Sequence, residues 1–204
     1  MSFNLIRFGS PEKATILLAH GAGAGSDSAF MTAFAIGLAK HGFETILFDF
    51  PYMAQMKREG KRRPPDKAPK LVSFYKEIIT EVRAPHLIIG GKSMGGRIAS
   101  MLLAQEPQIA NGLLLLGYPF HPPGKPERLR TEHFPHIAAP TLIVQGERDT
   151  FGGKALVTQL GLPKNYSIYW CPDGDHSLKP RKASGYSEAG NWQAAQDTIA
   201  SHDW

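Results

Sequence analysis

Short apolar segments recur along the chain and are separated by longer segments of helical character. Most of the apolar segments show no period-two alternation, which is typical of strands covered on both faces and hence of a parallel sheet. The predicted strands span 15–19, 45–48, 86–89, 112–116, 141–144 and 166–170, with a further edge strand at 4–8. Helices are predicted at 29–41, 71–83, 95–105, 153–160 and 187–201. The alternation of strands and helices predicts a doubly wound, mostly parallel sheet of six or seven strands with helices on both faces.

Two proline-rich segments interrupt this alternation. Residues 50–70 are basic, and we expect them to form an irregular excursion without a core of its own. Residues 118–140 are too short to form a separate cap domain, so we expect an open, shallow site. With 204 residues, the chain has the length of one α/β domain covering 1–204.

The charge and the cysteine content exclude several classes of protein. The formal net charge is +5, and residues 57–70, with seven basic and two acidic side chains, account for all of it. The basic character is therefore local, and a nucleic-acid partner is not predicted. Cys171 is the single cysteine, so neither a disulfide framework nor a structural metal site is expected. The N-terminus has no leader pattern and no apolar segment is long enough to span a membrane, so we expect a cytoplasmic protein.

The segment Gly91-Lys92-Ser93-Met94-Gly95 fits G-x-S-x-G, a sharp turn that presents a serine oxygen between a strand and a helix. A predicted strand leads into this segment and a predicted helix leads out of it, as the motif requires. Ser93 is therefore the candidate nucleophile, and the alternative is a turn serine without chemistry.

A serine hydroxyl needs a base to take its proton and an acid to orient that base. With this motif the partners follow in the order serine, acid, histidine, each after a later strand. His176 is the candidate base, because it lies between the last predicted strand and the last helix. Asp149 is the favoured acid, with Glu147 as the alternative. The neighbouring residues Asp173 and Asp175 are expected to shape the histidine loop.

His20 competes with His176 for the role of base, since it lies at the end of the first core strand. We favour a structural role for His20, because the segment His20-Gly-Ala-Gly is where an oxyanion-hole N–H would be supplied. The candidate oxyanion donors are the backbone N–H groups of Ala22 and Met94. The alternative for this segment is a flexible glycine turn.

Together these motifs resemble the α/β-hydrolase superfamily over nearly the whole chain, and the layout without a cap domain resembles its small dienelactone-hydrolase-like branch. Residues 90–97, 62–66 and 174–177 resemble a subgroup that includes testis-expressed hydrolase-like proteins and the third subunit of the non-specific lethal chromatin complex. The superfamily resemblance implies hydrolysis of an ester, a thioester or a related acyl bond, with no metal or organic cofactor. The subgroup also includes proteins better known as components of complexes. The chain has serine where the dienelactone hydrolases have cysteine.

Two functions therefore follow from the sequence: a serine hydrolase, or a non-catalytic binding module that docks an acidic partner through residues 57–70. Arg62 and Arg63 precede the stiff pair Pro64-Pro65, and their guanidinium groups suit carboxylates and phosphates. In the enzyme these two arginines predict a small acyl substrate, with anionic substrates preferred. The alternative for the segment is a solvated loop.

Overall fold

The structure is a computed structural model that describes residues 3–204. Its centre is one seven-stranded sheet in the order β1-β3-β2-β4-β5-β6-β7. The strands are β1 (Ile6–Phe8), β2 (Ala14–Ala19), β3 (Phe43–Phe48), β4 (Leu87–Lys92), β5 (Gly112–Leu116), β6 (Thr141–Gly146) and β7 (Tyr166–Cys171). β1 pairs antiparallel with β3, and every other pairing in the sheet is parallel. The predicted doubly wound, mostly parallel sheet is confirmed.

Helices cover both faces of the sheet. They are α1 (Ala29–Lys40), α2 (Pro51–Glu59), α3 (Ala68–Val82), α4 (Met94–Gln105), α5 (Lys154–Val157) and α6 (Glu188–Ser201). Successive strand residues point to opposite faces, and both faces are apolar: Leu17 and Ile89 pack with α3 and α4, whereas Leu18 and Ile88 pack with α1 and α6. Burial on both faces explains why the strands read as continuous apolar segments.

The register aligns the carboxyl ends of the central strands at one edge of the sheet. Ala19 of β2 is opposite Gly91 of β4, and Lys92 is opposite Leu116 of β5. At the other end, Gly146 of β6 is opposite Cys171 of β7. The loops that follow β2, β4, β6 and β7 therefore meet, as ligand-binding loops do in open α/β sheets.

Residues 50–70 were expected to be irregular, but residues 51–59 form a helix, α2, so the expectation was wrong for this part of the segment. Pro51 occupies the first turn of α2, where a missing N–H costs no helical hydrogen bond. Gly60 ends the helix in the left-handed conformation, with φ of 65°. Tyr52 and Met53 are buried in the core cluster that also contains residues of α3. Only the part of the segment between α2 and α3 is irregular.

The loop at 118–140 is irregular as expected, with one short 3₁₀ turn at Phe134–His136. The predicted helix at 153–160 is reduced to the four residues of α5. No cap domain covers the carboxyl edge of the sheet in the part of the chain that the structure describes.

Candidate active site

Ser93 lies on the turn between β4 and α4 in a strained conformation. Its φ of 53° and ψ of −114° are unusual for a residue with a side chain. A Cβ atom at Gly91 or at Gly95 would collide with the carbonyl oxygen of Ala19. Glycine is therefore required at both ends of the motif, because the turn passes directly against the backbone of β2.

A continuous chain of hydrogen bonds joins Ser93, His176 and Asp149. His176 Nε2 is 2.8 Å from Ser93 Oγ, and His176 Nδ1 is 2.8 Å from Asp149 Oδ2. The three residues come from the loops after β4, β7 and β6, so residues distant in sequence meet only through the sheet. The geometry allows His176 to accept the serine proton while Asp149 holds Nδ1–H in place.

Asp149 is buried and accepts hydrogen bonds on both carboxylate oxygens. Oδ2 also accepts from Gln145 Nε2 at 2.8 Å, and Oδ1 accepts from the Phe151 N–H at 2.8 Å. The side chain of Asp149 has an exposed fraction of 0%, so its position is set entirely by these donors. Glu147, the alternative acid, instead pairs with Lys154 at 2.8 Å and accepts from the Asp173 N–H at 3.0 Å.

The loop that carries His176 is shaped by its neighbouring aspartates, as expected. Asp175 Oδ1 accepts from the Ser177 N–H at 2.7 Å and from the Lys179 N–H at 3.0 Å, which closes a tight turn. Hydrogen bonds from the side chain and backbone of Arg181 lower the pKa of Asp173 to about 2. These contacts fix both sides of the histidine.

His20 is fully occupied by backbone contacts. Its Nε2 accepts from the Phe50 N–H at 3.1 Å, so Nδ1 carries the proton and donates to the Gly21 carbonyl at 2.6 Å. Burial lowers the pKa of His20, which favours this neutral form. The side chain therefore shapes the backbone after β2 and has no nitrogen left for Ser93.

The glycine-rich loop after β2 is also held from α2. The hydroxyl of Tyr52 donates to the Ala22 carbonyl at 3.1 Å, and burial raises the Tyr52 pKa, which keeps that hydroxyl protonated. Further along, Asp49 accepts from the Ser26 N–H at 2.8 Å and pairs with Lys57 at 2.6 Å. The loop is therefore anchored at several points and is not a free glycine turn.

The candidate oxyanion donors are the backbone N–H groups of Ala22 and Met94. Ala22 lines the same cavity as the Ser93 side chain, and Met94 is the first residue of α4. Within residues 3–204, no hydrogen bond uses the N–H of either residue. Both N–H groups are thus available for a substrate oxygen, and their assignment stays a prediction.

The cavity beside Ser93 has a volume of about 290 Å³. It is lined by Gly21, Ala22, Gly23, Ala24, Ser28, Phe30, Met31, Lys92, Ser93, His176 and Ser177. A larger cavity of about 540 Å³, lined by Phe48 and Phe74 among others, includes none of the triad residues. We place the chemistry in the smaller cavity, because only this cavity contains the serine and the histidine.

The structure does not bring Arg62 or Arg63 to this cavity. Both arginines are exposed, and Arg63 forms an ion pair with Glu59 at 2.6 Å. Arg63 lines a different surface cavity together with Tyr52 and Asp66. The segment was expected to reach the cleft because it follows β3, but residues 51–59 form α2 before the two arginines are reached.

Sequence reasoning missed three residues that support the site. Gln145 joins the acid to the neighbouring loop, with Nε2 on Asp149 and Oε1 accepting from the Tyr118 N–H at 2.7 Å. Tyr52 holds the glycine-rich loop, and Lys92 lies inside the cavity. A polar residue that continues an apolar strand, as Gln145 and Lys92 do, was the signal present in the sequence.

A second serine–histidine pair provides a useful contrast. Ser100 Oγ is 2.7 Å from His133 Nε2, but the serine hydroxyl donates to the Arg97 carbonyl at 2.8 Å. His133 must then donate to Ser100, so it cannot accept the serine proton. Contact alone therefore does not make a nucleophile.

Within residues 3–204, no helix is both long and apolar enough to cross a membrane. The same residues contain no group of three or more histidine, cysteine, aspartate or glutamate side chains placed to hold a metal ion.

A doubly wound sheet with a strained serine turn after a central strand, followed in the chain by an acid and a histidine, defines the α/β-hydrolase fold. A sequence profile described as "Alpha/beta hydrolase domain" matches residues 12–203, and the chain belongs to this family.

Solved structures agree with the fold. A monoacylglycerol lipase from Paleococcus ferrophilus matches with a TM-score of 0.68 at 18% identity, over 100% of both chains. Dienelactone hydrolase from Anabaena variabilis matches with a TM-score of 0.64 at 20% identity, over 95% of this chain and 89% of that chain. Est1E from Butyrivibrio proteoclasticus, solved with ferulic acid bound, matches with a TM-score of 0.69 at 16% identity, over 97% and 94% respectively. At these sequence identities the similarity shows that the fold is shared and carries no statement about substrates.

Proposed function

We propose that the protein is a serine hydrolase that cleaves an ester, a thioester or a related acyl bond. The observation that carries the proposal is the hydrogen-bond chain from Asp149 through His176 to Ser93, in which each distance is 2.8 Å. The names of two similar structures, a monoacylglycerol lipase and a dienelactone hydrolase, are compatible with this activity. We also propose that the chain is one domain that acts in the cytoplasm.

In the first half of the reaction, His176 Nε2 takes the proton of Ser93 as Oγ attacks the acyl carbon. The bond between Oγ and carbon forms, and the electron pair of the carbonyl moves to its oxygen. When the tetrahedral intermediate collapses, the bond to the leaving group breaks and His176 gives its proton to that group. The product is an acyl ester on Ser93.

In the second half, a water molecule attacks the acyl carbon while His176 accepts one of its protons. The bond between carbon and Ser93 Oγ then breaks, and His176 returns the proton to Oγ. The Ala22 and Met94 N–H groups would donate to the oxyanion in both halves. Donors fixed in place before the reaction stabilise this charge strongly, because they need no reorganisation.

The direct test is covalent labelling with a fluorophosphonate probe, which reports on an activated serine without knowledge of the substrate. We expect labelling at Ser93, found by mass spectrometry of the labelled peptide, and no labelling of Ser93→Ala. Ser100→Ala is the matched control, because Ser100 lies on α4, the helix that follows Ser93, and also contacts a histidine. An unlabelled native protein, or equal labelling of Ser93→Ala, would show that the proposal is wrong.

The alternative function, a binding module that docks an acidic partner, depends on a free basic surface at 57–70. Part of this charge is already neutralised within the chain: Lys57 pairs with Asp27 and Asp49, and Lys70 pairs with Asp66. The finer resemblance to complex-forming relatives stays a proposal of the same kind. The probe experiment distinguishes a hydrolase from a binding module, because docking a partner does not require an activated serine.

The position of Arg62 and Arg63 gives a separate prediction. The double variant Arg62→Ala/Arg63→Ala should change the ratio of kcat/KM for an anionic and a neutral ester by no more than about twofold, because exposed charges outside the cavity are screened by solvent and salt. The measurement compares both esters in the native and variant proteins at low and high salt. Loss of an anionic preference in the variant would return substrate recognition to this segment.

A further inference from the structure

Lys92 is a buried cation within the candidate active site. Its exposed fraction is 8%, yet it is one of the residues that line the cavity beside Ser93. Its ammonium donates to the His176 carbonyl oxygen at 2.6 Å and lies 5.5 Å from the centre of the Phe30 ring. A Cβ at Gly117 would come within 2.9 Å of Nζ, so the glycine leaves the space that the ammonium occupies.

The ammonium of Lys92 is poorly compensated by the protein. Within residues 3–204, no carboxylate lies within ion-pair distance of Nζ, and the single hydrogen bond goes to a neutral carbonyl. An ammonium has three N–H donors, so two of them have no acceptor among these residues. A buried charge is costly unless it is paired and hydrogen-bonded, and an anion in the cavity would supply both.

The rest of the cavity also favours a negative charge. Of the side chains that line it, none is acidic. Ser28, the N-cap of α1, is part of the lining, so the positive end of that twelve-residue helix faces the same space. α4 begins immediately after Ser93 and adds a second helix N-terminus. These two helix N-termini, together with the Lys92 ammonium, favour an anion in the cavity.

We propose that Lys92 selects substrates whose acyl chain ends in a carboxylate, which would pair with the ammonium while Ser93 attacks the scissile acyl carbon. This inference rests on the proposed hydrolase function and assigns its substrate class. It moves the anionic preference from Arg62 and Arg63, which lie outside the cavity, to a residue inside it. The distal carboxylate accepts from the two N–H donors that the protein leaves open.

The titration of Lys92 gives this preference a recognisable pH dependence. Burial lowers the pKa of Lys92 to about 8, against the opposing effect of the carboxylates of Asp149 and Asp175. As pH rises through this value the ammonium loses its charge, so its attraction for a carboxylate weakens. Guanidinium groups stay charged throughout, and a preference caused by Arg62 or Arg63 would not change.

The test uses two para-nitrophenyl esters of adipic acid that differ only at the far end, a free carboxylate in one and a methyl ester in the other. For the native protein near pH 7, we expect kcat/KM to be at least about tenfold higher for the anionic ester. The ratio should fall toward one as the pH is raised above 8. Because both esters are measured at each pH, any effect of pH that is common to the two reactions cancels in the ratio.

Lys92→Met keeps an unbranched side chain that ends at the position of Cε and removes the ammonium with its charge. We expect the preference to be lost in this variant, with kcat/KM for the anionic ester falling about tenfold further than for the neutral ester. Equal losses for both esters would show that Lys92 only positions His176, and would overturn the inference. If the variant does not fold, the pH series on the native protein decides the question, and a ratio independent of pH overturns the inference.

Failure of the inference is distinguishable from failure of the proposed function. A native protein that is labelled at Ser93 but has the same kcat/KM for both esters is a hydrolase without this specificity. A native protein that is neither labelled nor active on either ester is not a serine hydrolase, and the inference then falls with the function.

Discussion

Replacing His176 with alanine should lower ester turnover by about five to six orders of magnitude and prevent fluorophosphonate labelling of Ser93. Without the imidazole, the serine proton has no acceptor, since Nε2 of His176 is the nitrogen that contacts Ser93 Oγ at 2.8 Å. His20 cannot replace it, because both of its ring nitrogens are engaged by the backbone. The measurements are kcat/KM for a para-nitrophenyl ester and the rate of probe labelling.

Two further measurements would show that the lost turnover reflects the missing base and not a damaged fold. The thermal unfolding midpoint of His176→Ala should stay close to that of the native protein, because the imidazole is only partly buried. Added imidazole should restore part of the turnover by occupying the vacated space. Turnover within about tenfold of the native protein would show that another group acts as the base.

Most of the fold could be predicted from the sequence because the sheet is covered on both faces. Leu113, Leu114, Leu115 and Leu116 of β5 are all fully buried, half of them against α3 and α4 and half against α1 and α6. Such a strand must read as an uninterrupted apolar segment, and its position in the chain is then visible. The edge strand β1 was harder to place because it has only three residues and none of them is fully buried, so it does not form a continuous apolar segment.

The segment 50–70 shows where local reasoning fails. Its prolines indicated irregular structure, but Pro51 and Pro69 both lie in the first turn of a helix, where proline is favoured. Whether a proline ends a helix or begins one depends on where the hydrogen bonds of the flanking residues go. In α2, burial of Tyr52 and Met53 in a core cluster that also contains residues of the sheet, α3 and α4 stabilises the helix, and this packing is not local in sequence.

In the candidate site, too, some residues could be identified from local sequence and others only from tertiary contacts. Ser93, Asp149 and His176 could be singled out because each follows a strand at its carboxyl end, and chain order then assigns their roles. Gln145, Tyr52 and Lys92 could not, because their roles consist of contacts with residues from other loops: Tyr118, Ala22 and His176 respectively. A supporting residue of this kind can be identified only from the residue that it contacts, and that contact is visible only in the folded structure.

The second large effect is expected for Asp149→Asn, which should lower kcat/KM by about four orders of magnitude while leaving the fold intact. The carboxylate of Asp149 accepts from His176 Nδ1, from Gln145 Nε2 and from the Phe151 N–H. An asparagine amide must turn its two N–H groups toward at least one of these donors. If the amide faces His176, Nδ1 becomes an acceptor and the proton moves to Nε2, which can then no longer take the proton of Ser93.

Glu147→Gln is the matched control for this prediction, because Glu147 lies two residues away on the same loop and its contacts are with Lys154 and the Asp173 N–H instead of His176. Its kcat/KM should stay within about threefold of the native value, since loss of an exposed ion pair with Lys154 costs little. Both variants are to be compared with the native protein for kcat/KM, for the rate of labelling at Ser93 and for the thermal unfolding midpoint. A near-native Asp149→Asn together with an inactive Glu147→Gln would transfer the role of the acid to Glu147. If both variants kept native activity, the imidazole of His176 would have to be oriented by its packing alone, with the Phe151 ring 4.5 Å away as the nearest aromatic contact.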